Sequence, residues 1–82
     1  MISAEDAAAE IKRMINDDPT ISGRTYVLVY AQKNGFGPWK KEEIHLNGHV
    51  DTEKDREKAE EIALHSAGGR PVINELEVSA KK

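Results

Sequence analysis

Apolar side chains recur at helical spacing over residues 4–17. Ala4, Ala8, Ile11 and Ile15 form one stripe, with Ala7 and Met14 beside it. Ser3 precedes this stretch and Asp6 follows three positions later, which is the spacing of a capping box. Pro19 disfavours helical geometry in Asp18. The pattern predicts an amphipathic helix over 4–17.

Two strands are predicted next. Residues 25–32 are rich in β-branched and aromatic types, but both faces are apolar. The pattern therefore leaves open whether Tyr26, Leu28 and Tyr30 or the alternate valines face the core. Residues 43–50 have a clear alternation, in which Ile44, Leu46 and Val50 are apolar while His45, Asn47 and His49 are predicted to lie on a solvated side.

The connection between these strands contains turn signals, Asn34-Gly35 and Gly37-Pro38, which predict a hairpin with a long tip. Gly48 takes an inward position in the second strand. A residue without a side chain there allows close approach of another element, so Gly48 is predicted to be a structural residue.

A second helix is predicted over roughly 52–66, capped by Thr52 or Asp51 and ended by Gly68-Gly69. Its buried stripe is predicted to be Ala59, Ile62, Ala63 and either Ser66 or Ala67. A last strand at 71–78 places Val72, Asn74, Leu76 and Val78 on one face. We expect a single α+β domain of order αββαβ over 1–82 (core about 4–78, tail 79–82), with two helices on one face of a three-stranded mixed sheet. The strand order stays open.

The composition limits the classes of partner that the chain is expected to bind. The 82 residues carry a net charge of −3, which argues against nucleic acid, because phosphate binding needs a basic face. The chain has no cysteine and no apolar run of the roughly 20 residues that span a bilayer. No signal peptide is visible, so we expect a cytoplasmic protein, or a periplasmic or cell-envelope one if the chain was cut from a longer precursor. The oligomeric state stays open.

No catalytic constellation is found, and we expect neither an enzyme nor a cofactor. His45 and His49 share a strand face but lie about 13 Å apart, too far to share one metal ion. The acids at 51–61 alternate with bases, which indicates a solvated helix face rather than a catalytic carboxylate pair. These acids are Asp51, Glu53, Asp55, Glu57, Glu60 and Glu61.

The hairpin tip is the strongest candidate for a contact surface. Phe36 and Trp39 are the only phenylalanine and the only tryptophan of the chain, and Lys33, Lys40 and Lys41 flank them. Aromatic side chains beside lysines suit an interfacial contact. The alternative is that Trp39 folds back over the sheet edge or the rim of the core.

Two sequence motifs flank the predicted alanine-bearing helix. They are Leu46-x-Gly48-x-Val50 before it and Val72-x-Asn74-x-Leu76-x-Val78 after it. In this order and spacing the sequence resembles the BON domain, a module of bacterial cell-envelope proteins. The resemblance implies a non-enzymatic module that attaches to an envelope component, either an anionic phospholipid surface or an envelope protein. It also implies core positions for the motifs' apolar residues. The alternative function is a cytosolic protein–protein interaction or regulatory domain.

Overall fold

The computed structural model describes residues 3–21, 26–35 and 37–79. The first helix, α1, spans Ala4–Asp17 as predicted. Ser3 Oγ accepts a hydrogen bond from the Asp6 backbone N–H at 3.1 Å, which satisfies one of the free donors of the first turn. The predicted stripe is buried.

The hairpin consists of β1 (Tyr26–Asn34) and β2 (Lys41–Val50), paired antiparallel from Tyr26 opposite His49 to Asn34 opposite Lys41. Both strands extend two residues further toward the connection than predicted. The open question about β1 is answered by burial: Val27 is buried, whereas Tyr26, Leu28 and Tyr30 are 55%, 43% and 40% exposed.

The second helix, α2, spans Glu53–Ser66. Of the two predicted caps, Thr52 is the N-cap, and its Oγ1 accepts a hydrogen bond from the Asp55 N–H at 3.1 Å. Ala59, Ala63 and Ala67 are buried, so the last residue of the buried stripe is Ala67 and not Ser66. Ile62 is half-buried against the core.

The predicted last strand is divided into β3 (Val72–Asn74) and β4 (Glu77–Val78). Both pair parallel with β2, so β2 is the central strand of a four-stranded mixed sheet over the described residues. Asn74 explains the interruption: its Oδ1 accepts the Leu76 N–H at 3.0 Å, while its Nδ2 donates to Glu60 on α2 at 3.0 Å. One expectation is wrong: Val78 is 37% exposed because it lies at the sheet's end, so it is not a core residue.

Both helices cover the same face of the sheet. Ile11 of α1 packs in one cluster with Ile44, Leu46 and Leu76, and Ile62 of α2 lies against that cluster. The predicted α+β fold of order αββαβ is therefore confirmed. The opposite face of the sheet carries no helix among the described residues; we call it the open face.

Gly48 in β2 lies close to the backbone of β1. Its φ of +122° is a conformation that residues with a side chain rarely adopt. A Cβ built on it would collide with the carbonyl oxygen of Tyr26 and lie 3.1 Å from the carbonyl carbon. The approaching element is thus the backbone of the neighbouring strand.

Candidate functional site

The tip of the hairpin begins where the ladder ends, at Asn34 opposite Lys41. A single 3-10 turn, Gly37–Trp39, leads into β2. Lys33, Lys40 and Lys41 are exposed, and none of them forms an ion pair with a described residue. Phe36 and the side chain of Trp39 lie outside the described residues, so the choice between contact surface and folded-back tryptophan stays a prediction.

The two carboxylates next to the tip already have partners. Glu42 Oε1 accepts from Arg70 Nε at 3.2 Å. Glu43 Oε1 lies 3.0 Å from His45 Nε2 and accepts from Asn34 Nδ2 at 2.8 Å. The hydrogen bond from His45, followed by that from Asn34, lowers the pKa of Glu43 below its ordinary value. Glu42 is thus paired with a cation, whereas Glu43 keeps its negative charge and interacts electrostatically with Lys41. The three lysines outnumber that remaining charge at the tip.

His45 corrects the prediction of a solvated strand face. It is 8% exposed, because the Tyr30 ring stacks on it at a centroid distance of 5.2 Å and glutamates flank it. A carboxylate only accepts hydrogen bonds, so contact with Glu43 fixes a proton on Nε2. Nδ1 is buried without a hydrogen bond and lies 3.7 Å from Glu75 Oε1. His49, in contrast, is exposed as predicted, beside Tyr26.

Asp55 corrects the prediction of a uniformly solvated helix face. It is 7% exposed, although Glu53, Glu57 and Glu61 are exposed. Its position in the first turn of α2 is compatible with this, since a carboxylate there is stabilised by the N-terminal end of the helix. Glu53 shares that turn and is exposed, so no sequence signal separated Asp55 from its neighbours.

The described residues offer no group of three or more side chains placed to hold a metal ion. In the same part of the chain, neither helix is long and apolar enough to cross a bilayer.

One exposed surface was not predicted from the sequence, which left open which face of residues 25–32 is buried. Tyr26, Leu28 and Tyr30 form an exposed row along β1 on the open face. The sequence signal for this surface was that residues 25–32 are apolar on both faces of the strand. When helices cover only one face of a sheet, the apolar side chains on the other face are exposed.

No curated protein matches the chain. The model of the BON domain family matches residues 40–80, which is half of the 82 residues and runs from β2 to β4. Both motifs that carried the resemblance lie inside the match, whereas α1, β1 and the aromatic residues of the tip lie before it. BON domains are binding modules and not a family of enzymes. The chain belongs to the BON domain family.

Proposed function

We propose that this BON domain is a non-enzymatic module that attaches to the anionic phospholipid surface of a bacterial cell envelope through its hairpin tip. The tip comprises Lys33, Phe36, Trp39, Lys40 and Lys41. The observation that carries the proposal is the charge arrangement: three exposed lysines form no ion pair with a described residue, while Glu42, the carboxylate next to Lys41, is paired with Arg70.

The expected affinity follows from general magnitudes. Each lysine near an anionic surface contributes about 1 kcal/mol, and partial burial of two aromatic side chains adds about 3 kcal/mol. The total of about 6 kcal/mol corresponds to a dissociation constant on the order of tens of micromolar. One copy would therefore attach reversibly, and stable attachment would require a second contact.

The proposal assigns the protein to the periplasmic side of the envelope, which requires an export segment in the precursor. Sequencing the coding region upstream of Met1 tests that part independently of binding.

Co-sedimentation with vesicles tests the contact surface. The tip variant Lys33→Gln/Lys40→Gln/Lys41→Gln is compared with the control Arg13→Gln/Lys54→Gln/Lys58→Gln. Both variants change the net charge from −3 to −6, so they differ only in where the charge is lost. The control residues lie on α1 and α2. The pair of Arg13 with Glu10 is exposed and contributes little to stability, and Lys58 Nζ lies 4.0 Å from Asp18 Oδ2, a long contact.

On vesicles containing phosphatidylglycerol, the tip variant should lose about two orders of magnitude in affinity, and the control less than tenfold. Equal losses would show that net charge alone drives binding and would contradict the assignment of the tip. Absence of binding by the wild-type protein would reject the lipid surface and favour a protein partner.

A further inference from the structure

β1 is an edge strand: β2 pairs with one of its sides, and no described strand pairs with the other. Residues 26–30 read Tyr-Val-Leu-Val-Tyr, the same in both directions, with Leu28 at the centre. No charged residue occurs between Tyr26 and Gln32. Exposed edge strands normally carry charges or prolines that prevent pairing with another chain, and residues 26–32 of β1 have neither.

The backbone groups of β1 alternate between its two sides. The Tyr26 carbonyl points toward β2, since it is the group that a Cβ on Gly48 would strike. The next carbonyl, that of Val27, points outward, where it accepts a hydrogen bond from Lys12 Nζ at 3.1 Å. By the same alternation, the N–H and C=O of Val29 also point outward.

We propose that the outer edge of β1 pairs antiparallel with β1 of a second copy of this chain, about a two-fold axis through Leu28. In this register Val27 lies opposite Val29 of the second copy, so the outward backbone groups of both valines find partners. Tyr26 lies opposite Tyr30 of the second copy, and Leu28 lies opposite itself. Such an isologous contact requires a self-complementary surface, and the palindrome supplies one.

The lack of charge in residues 26–30 permits a second copy at this edge, and the palindrome makes that copy the matching partner. Each chain carries a net charge of −3, so two copies repel unless they meet where charge is absent. Residues 26–30 are such a place, because their contact sets only tyrosine, valine and leucine against each other. The two-fold axis stands perpendicular to the sheet, so both open faces lie on the same side and their exposed rows merge.

Lys12 sets the strength of this contact. In the single chain its Nζ donates a hydrogen bond to the Val27 carbonyl oxygen. Pairing of the two β1 strands would also bring Lys12 of both copies near each other. Lys12→Met keeps the length of the side chain but removes the competing donor and the like charges. We expect that change to lower the dissociation constant of the dimer about tenfold, as measured by analytical ultracentrifugation.

The absence of cysteine allows a test of the register itself. In a non-hydrogen-bonded antiparallel pair the Cα atoms lie about 4.5 Å apart, a separation that a disulfide accepts. Leu28→Cys should therefore form a disulfide-linked dimer under mild oxidation. Leu64→Cys is the matched control, since Leu64 on α2 is also an exposed leucine, at 56%.

Tyr26→Cys and Tyr30→Cys should each cross-link poorly alone but efficiently when mixed, because position 26 faces position 30 only in the opposite copy. Efficient cross-linking of Leu28→Cys and of the mixture, but not of Leu64→Cys, supports the proposal. Equal cross-linking of all variants, or a monomer at every concentration in both the wild type and Lys12→Met, would overturn it. Neither outcome bears on vesicle binding by the tip.

Discussion

Gly48 is a position at which the fold excludes any side chain. Two separate observations explain why this position requires glycine: its φ of +122° and the nearness of the Tyr26 carbonyl. The sequence predicted close approach at this position, and the structure confirms it. It could not show that the approaching group is backbone, because a hydropathy pattern records faces and not hydrogen-bonding partners.

Replacing Gly48 with alanine should lower the free energy of unfolding by about 3 kcal/mol, because backbone strain and a steric collision act together. Gly69→Ala separates the two effects. Gly69 has a φ of +83° but nothing within 4 Å of a built Cβ, so only strain remains, about 1 to 2 kcal/mol. Urea denaturation measures both variants, and equal losses would contradict the role of the Tyr26 carbonyl.

Glu43 should make stability depend on pH. Its pKa is lowered in the folded chain, first by the hydrogen bond from His45. The unfolded chain thus binds the proton more readily, and ionised Glu43 stabilises the fold above its ordinary pKa of 4.5. This contribution is lost as the pH falls through the lower, folded value.

The difference in urea midpoint between the wild type and Glu43→Gln should therefore be largest near neutral pH and shrink below about pH 4.5. In a His45→Gln background the pH-dependent part of that difference should become smaller, because its largest cause is absent. A difference that stays constant from neutral to acidic pH would contradict the assigned hydrogen bond.

At the scale of elements, Asn74 joins the sheet to α2 at the point where the last strand is interrupted. Its Nδ2 donates to Glu60 on the helix, and its Oδ1 accepts from Leu76 beyond the interruption. The Asn74 side chain thereby provides hydrogen-bond partners for the Leu76 N–H, at the interruption of the strand, and for the Glu60 carboxylate on the helix. Asn74 is also part of the motif by which the family was first indicated.

Asn74→Ala should lower the free energy of unfolding by about 1 to 3 kcal/mol, since it leaves partly buried groups without partners. Hydrogen exchange at the Leu76 amide should accelerate by more than global stability explains. Asn16→Ala is the control, because Asn16 is exposed at the end of α1. If both asparagine variants behave alike, Asn74 does not hold the two strands.

A structural feature could be predicted from the sequence when the residues that cause it are close together in the chain. The helix starts were predictable because their caps, Ser3 and Thr52, act within three residues. The interruption after Asn74 was not predicted, although its bond to the Leu76 N–H is local; the orientation of the Asn74 side chain is also held by Glu60, fourteen residues away on another element. The burial of His45 was missed for the same reason, since Tyr30 covers it from a neighbouring strand.

At the scale of the whole molecule, the chain presents two separate surfaces. The lysines of the tip lie at the end of the ladder, with Lys33 and Lys41 in its last pairs and Lys40 just beyond it. The row of Tyr26, Leu28 and Tyr30 lies along the open face. The family match covers the part of the fold from β2 onward. The aromatic residues of both surfaces precede the matched part.

Trp39 provides the most direct measurement of the central claim, that the tip contacts an anionic membrane. It is the only tryptophan, so its fluorescence reports the tip alone. We predict emission close to that of tryptophan in water for the free protein, and a blue shift on adding phosphatidylglycerol vesicles but not phosphatidylcholine vesicles. Emission that is already blue-shifted in the free protein and unchanged by either vesicle would contradict the claim.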